Sequence, residues 1–320
     1  MKKTILLFFV PCLLFFGCKE EDKVADEVEK VRVDLKVLRF DREFAQAGPQ
    51  DIPRLQKKYP YLFPQQYADS VWIAKSRDTL QIALLEEVDR AFGNFKEESD
   101  ALELFFKYVK YYFPQYRVPT VVTVTSDVDY NNRVILADSL LLIGLDNYLG
   151  SDHRFYVGIQ KYIAAALDKE FMVGDVAGTF AKQLNPFPAD RSFLAQMVYY
   201  GKELYLKDKL APFLDDARKI GYSREQLQWA QDNEEEVWRY FIERELLYAT
   251  DLSLGPRFLD PAPFSKFQLE LDNESPGRIG RYMGWQIVRS FMGSNEVSLS
   301  ELMKLPAEEL FKRSGYKPKK

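Results

Sequence analysis

The sequence predicts an α+β protein, predominantly helical, in which one small sheet is packed by many helices. Apolar residues recur at three- and four-residue spacing over long segments, the mark of helices that bury one face. Strand-forming runs are confined to Val31–Leu38 and to residues 118–149. The chain is 47% apolar and 15% aromatic, enough to fill a substantial core, so residues 31–320 read as a single globular domain.

The N-terminus reads as a lipoprotein signal peptide covering residues 1–17. Lys2 and Lys3 supply the charged start, Thr4 to Phe16 the apolar run, and Gly17 the small residue before the cut. This run is interrupted by Pro11 and falls short of the ~20 residues needed to span a bilayer. Cleavage makes Cys18 the first mature residue, with a diacylglycerol on its thiol and a palmitate-type acyl chain on its amine, a combination that anchors stably. Cys12 is removed with the signal, so the mature chain keeps no thiol for a disulfide, a cysteine metal site or a nucleophile. Residues 18–30 are charged and read as a hydrated, lipidated tether. Within them, Lys19 followed by Glu20, Glu21 and Asp22 resembles the lipoprotein export signal of Bacteroidota, which implies the outer membrane and its outer face.

Val31, Val33, Leu35 and Val37 alternate with polar residues as a half-buried strand does. Helices are expected at 51–61, with Pro53 in the first turn, at 66–76, at 80–92 ending on Gly93-Asn94, and from a cap at Ser99 or Asp100 to Pro114. Three short runs follow, Thr120–Val124, Arg133–Leu136 and Leu140–Leu145, as neighbours in one sheet, with Asp127, Asp129, Asn131 and Asn132 in the first turn. Further helices are expected at 157–170, 174–184, 190–205, 206–218, 223–248, 276–292 and 298–312.

A net charge of −4 and a pI near 5.4 argue against a nucleic-acid partner. His153 is the only histidine and reads as an exposed loop residue, so neither a histidine-pair metal site nor a positioned catalytic histidine is expected. Phosphate-binding glycine motifs are missing, and no cofactor, metal or catalytic residue is assigned. Glu234-Glu235-Glu236, Glu243 and Glu245 read mostly as charge-paired helix surface, although a glycosidase would need two such carboxylates.

The most distinctive stretch runs from Gly255 to Met292. Its prolines and aromatics suggest a rigid loop packed on the body, followed by a helix in which Gly277, Gly280 and Gly284 share a face for close backbone approach. Arg257, Arg278, Arg281 and Arg289 are residues that could bind an anion or a partner's acidic surface, their mutual placement not being given by the sequence. Arg257, Phe264, Lys266, Arg278, Arg281 and Trp285 form the candidate binding surface.

The segments Ile143–Gly150, Met197–Lys202, Trp238–Phe241, Pro261–Phe267 and Pro276–Met292, together with the lipoprotein signal, resemble the gliding motility lipoprotein GldB family of Bacteroidota. That resemblance implies a membrane-attached accessory of the gliding and type IX secretion machinery. A second resemblance is to zincin-type metallopeptidases. It implies a degenerate zincin-like fold, a pseudo-peptidase whose metal-binding helix falls at 176–184 without histidine or acid and whose later helix falls near 200–204. Three functions stay open: a non-enzymatic accessory that binds other envelope proteins of the gliding or secretion apparatus, a peptidoglycan or glycan hydrolase using Asp or Glu, and a peptide or small-ligand binder in a metal-free groove.

Overall fold

The structure, a computed structural model, describes residues 17–269 and 272–319, excepting the side chains of 17–22. The signal segment as far as Phe16 and the Cys18 side chain lie outside the described residues. The expected α+β class, predominantly helical with one small sheet, is what the chain adopts.

Strands β1 (Val37–Arg39), β2 (Thr120–Val124), β3 (Val134–Ala137) and β4 (Leu140–Gly144) make one mixed sheet in the order β1-β2-β4-β3. β1, β2 and β4 run parallel, and β3 is antiparallel to β4. Period-two alternation divides their side chains between two cores. Val121, Leu141 and Ile143 face the main core, whereas Val122, Leu140 and Leu142 face a smaller one built on Phe44, Ile52, Leu55, Tyr59 and Phe63. Only residues 37–39 of the expected first strand pair in the sheet. Residues 31–36 keep the predicted alternation of exposure and pack Val33 and Leu35 on the main core, and Lys36 O accepts from Val121 N of β2 just before the paired register begins.

The segment expected as a hydrated tether is helix α1 (Gly17–Glu29), which docks by its last turn: Val28 is buried, and Tyr111 donates to Glu27. Helices α2 (Phe40–Ala45), α3 (Ile52–Lys58), α4 (Asp69–Arg77) and α5 (Thr79–Phe92) wall the smaller core. Helix α6 (Lys96–Tyr112) begins before the expected cap, at Phe95, whose φ of 60° is left-handed. The expected helix 157–170 shrinks to α7 (Lys161–Ala164), because Gly158 turns at a φ of 98° and the Asp168 side chain starts a new turn by accepting from Glu170 N.

Helix α8 (Met172–Leu184) follows the prediction closely. Helix α9 (Phe193–Leu210) runs straight through the expected break at 205, since nothing there interrupts it before Ala211-Pro212, and α10 (Asp216–Ile220) is short. The expected helix 223–248 divides at Asn233 into α11 (Arg224–Asp232) and α12 (Glu234–Glu243), the Asn233 amide donating back to Trp229 O. The division buries Glu234, which accepts from Tyr282, Tyr316 and Lys319 N and so pins the C-terminal tail; Glu235 and Glu236 are surface partners of Arg239, as expected. Helices α13 (Ile279–Ser294), α14 (Leu299–Lys304) and α15 (Ala307–Ser314) complete the chain.

Helix α13 is the centre of the main core and crosses α9 with backbones touching. A methyl group added at Gly201 would lie 2.2 Å from Gly284 O, and one at Gly284 would lie 1.9 Å from Met197 O. The close approach expected of the glycine face is therefore present at Gly284, whereas Gly277 lies ahead of the helix, where a methyl group would run into Ala262 O. Next to the crossing, the ammonium of Lys202 is buried and donates to Leu305 O at 2.7 Å, closing the end of α14, and burial lowers its pKa to about 8.

Gly284→Ala should destabilise the fold by about 3 kcal/mol or more, because the backbones must part, whereas Gly293→Ala near the end of the same helix, with open space around it, should gain about 0.5–1 kcal/mol. Urea denaturation of the two variants checks this. Lys202 folds with a pKa of about 8 against about 10.4 when unfolded, so between these values the unfolded chain binds more protons and stability rises with pH. Melting curves at pH 7.5 and 9.5 should therefore lie further apart for the wild type than for Lys202→Met, the wild type gaining roughly 2 kcal/mol relative to the variant over that window.

Candidate functional site

Two adjoining cavities of about 830 Å³ and 250 Å³ share Arg133, Lys182, Arg218, Arg278 and Arg281 and form one cleft between α8, α9, α10 and the start of α13. One wall is the turn after β2. Asp127 and Val128 there adopt left-handed φ values of 56° and 59°, held because the buried Asp146 carboxylate accepts from the backbone of Ser126 and Val128. Burial raises the Asp146 pKa in spite of these donors. The turn carries Tyr130 and Asn131 to the cleft, and Arg133 beyond it is clamped to Asp175 of α8 at 2.6 and 2.9 Å. Tyr148 donates to the same carboxylate. Burial alone would lower the Arg133 pKa, but Asp175 holds it above the ordinary value.

The floor is the meeting of α8 and α9 at Gly178. A methyl group there would come within 3.2 Å of Glu203 Oε1 and of Lys207 Nζ, so glycine leaves room for both side chains. Each of the two is only 8% exposed. Although they lie one helical turn apart, they form no ion pair: Lys207 donates to Lys219 O at 2.9 Å, and Glu203 Oε2 has no hydrogen-bond partner. Burial pushes the Lys207 amine below its ordinary pKa, with the Glu203 charge opposing.

The mouth is formed by α13 and the loop before it. Arg278 sits just ahead of α13 at a left-handed φ of 64°, donates to Gly221 O at 2.7 Å and lies over the Tyr222 ring. Burial, with the charge of Arg281 beside it, holds its guanidinium down at about 10. Arg281 stacks 3.8 Å from the centre of the Tyr200 ring and donates to Leu259 O. Among the cleft's carboxylates, Asp175 is neutralised by Arg133, and Glu170 and Asp215 face Arg218.

A family model described as gliding motility protein GldB matches residues 21–318, nearly the whole chain. The chain belongs to the GldB family. Membership gives it a role in gliding motility. No match to the chain was found among curated proteins or among solved structures.

Of the six residues expected to form a binding surface, Arg278 and Arg281 come together at the cleft mouth. Arg257 points elsewhere, bonding to Lys266 O and to the Tyr240 hydroxyl. Lys266 is exposed beside a neighbouring hollow that it shares with Pro261 and Ala262, and Phe264 is half-buried. Trp285 must be withdrawn from the surface: it is 0% exposed, and its indole donates to Asp208. Arg289 is likewise a structural group, paired to both Asp208 and Asp216, and not a free anion binder. His153, expected in the open, is half-buried, accepts from Phe155 N and lies 3.6 Å from Glu87.

Glu203 and Lys207 were not singled out from the sequence. The signal is two opposite charges four residues apart in a helix otherwise rich in Leu and Tyr, but that pattern reads as a surface ion pair until the helix is seen to be buried. The stretches 176–184 and 200–204, given by the peptidase resemblance, do line the cleft through Gly178, Thr179, Lys182, Tyr200, Glu203 and Leu204. This is agreement of place in the chain and not of fold. Among the described residues, no three of His, Cys, Asp and Glu are grouped to hold a metal ion.

Asp175→Asn should cost about 2 kcal/mol, since it leaves the half-buried Arg133 without its counter-charge, whereas Lys182→Gln on the exposed rim should stay within about 0.5 kcal/mol of the wild type. Urea midpoints for both variants measure the difference.

Proposed function

We propose that the protein is a lipid-anchored, non-enzymatic accessory of the gliding machinery and of the type IX secretion system tied to it. It acts at the outer membrane by binding other envelope proteins. The observation that carries this reading is the family match over residues 21–318. Attachment through acylated Cys18 is supported by the signal pattern of residues 1–17. It also fits the described residues, where no helix is long and apolar enough to cross a membrane.

The non-enzymatic part of the reading is supported by the charge pairing in the cleft. Acid–base cleavage of a glycosidic bond takes two free carboxylates. Of the four that line this cleft, three face arginines, which leaves Glu203 alone. A pseudo-peptidase with a surviving groove would share this lining, but it would still need ligand binding and not turnover.

Affinity purification from detergent-solubilised membranes should bring down gliding or secretion components with the wild type. Cys18→Ala should fold normally, move to the soluble fraction and abolish gliding. Full gliding from the unanchored form would refute the dependence on anchoring, and repeated absence of envelope partners would refute the binding role. Protease shaving of intact against lysed cells tests exposure on the outer face.

A further inference from the structure

We propose that the cleft between α8, α9 and α13 is a binding site for a small organic anion that also carries an N–H or O–H donor: a carboxylate or phosphate held by Arg278, Arg281 and Lys182, with its donor on Glu203. This inference stands apart from the reading above and does not depend on which proteins the chain binds.

Five cations line the cleft without an ion-pair partner among the described residues: Lys182 and the exposed Arg224 on the rim, Arg278 and Arg281 at the mouth, and Lys207 at the floor. Arg278 and Arg281 spend one donor each on a backbone carbonyl and lie on aromatic faces, which leaves the rest of each guanidinium fork unspent. Like charges gathered in a low-dielectric hollow repel, and Arg281 already depresses Arg278. An anion relieves that repulsion. Guanidinium forks match the planar oxygens of a carboxylate or the tetrahedral oxygens of a phosphate.

A bare anion would leave one feature unexplained. Glu203 Oε2 is buried in the cleft with no hydrogen-bond partner, a state that costs roughly 1–3 kcal/mol when nothing fills it. A carboxylate repels a second anion and demands a donor. The ligand must therefore be two-ended, negative toward α13 and donating toward α9. The outer cavity, at about 830 Å³, holds a molecule of a few residues or a sugar, within the usual range of small-ligand pockets. The cost of holding Arg278, a non-glycine residue, in the left-handed region fits a side chain fixed in advance for its ligand.

Calorimetric titration of the detergent-solubilised full chain with tri-alanine and with glucose 6-phosphate tests the proposal, with tri-alanine amide, acetate and inorganic phosphate as controls. Tri-alanine supplies a carboxylate with N–H donors, glucose 6-phosphate a phosphate with O–H donors, and whichever binds names the source of the anion. Tri-alanine amide should not bind, and inorganic phosphate should bind more weakly than the sugar phosphate. Lys182→Glu, whose exposed position keeps the fold intact by its melting curve, should weaken the successful probe about tenfold and flatten its salt dependence. Glu203→Gln should narrow the gap between glucose 6-phosphate and inorganic phosphate, or between tri-alanine and acetate. Failure of both probes at millimolar concentration overturns the proposal, as does binding that Lys182→Glu leaves unchanged. None of these outcomes bears on envelope partners or gliding, so this site and the accessory role stand or fall separately.

Discussion

The contact of Gly201 with Gly284 sets the geometry of the rest of the molecule. A glycine in a helix costs about 1 kcal/mol against alanine, and the crossing spends that twice to bring the axes of α9 and α13 closer than any side chain allows. What returns is packing over the length of both helices, the most extensive inter-helix contact among the described residues. With backbones touching, neither helix can slide or rotate without collision, so the register of every neighbour follows. Tyr200 comes to lie under Arg281, Glu203 and Lys207 turn toward α8, and Lys202 turns the other way to meet the end of α14.

A second, ionic joint fixes the far end of the same pair. Arg289 bonds to Asp208 on α9 and to Asp216 on α10, Lys219 bonds to both acids, and the Trp285 indole completes the ring on Asp208. Burial would raise the Asp216 pKa, but Arg289 and Lys219 hold it below the ordinary range. Such a cluster is a weak source of net stability, because each charge had to leave water, but it tolerates only one arrangement of its members. Its effect is to set α10 in place, and α10 ends at Gly221, the carbonyl that receives Arg278. Core geometry and cleft geometry are thus linked through a chain of polar contacts.

The sequence made the larger features legible wherever one pattern was unopposed. The β-branched run at 120–124 and the apolar stripes of 80–92 and 174–184 fell where expected, since local preference and burial there agree. Misplaced boundaries trace to side-chain chemistry that periodicity does not register: Asn233 bonding back to Trp229 and Asp168 restarting a turn. The glycines at 277, 280 and 284 announced a close approach but not its partner, which is Met197 for Gly284 and Ala262 for Gly277. The same limit governs the cleft. Arg278 and Arg281 stood out by composition, whereas Glu203 and Lys207 acquire meaning only from being buried, and burial of a charged pair is decided by tertiary packing. Trp285 departs from expectation for the converse reason, as an aromatic beside arginines suggests a surface until its Asp208 partner is known.

Helix α1 changes what an anchor at Cys18 would mean mechanically. A disordered linker is an entropic spring: it lets a domain wander and absorbs a pull by straightening. Here the residues between Cys18 and Glu29 are wound into a rod roughly 17 Å long, fixed at its inner end by Val28 and by the bond of Tyr111 to Glu27. Were Cys18 acylated, a body mounted on such a strut would sit at a set height, present one side to the lipid, and pass a sideways load to the anchor with little slack. For a protein with a role in gliding motility, stiffness in that short link would decide whether force is transmitted or lost.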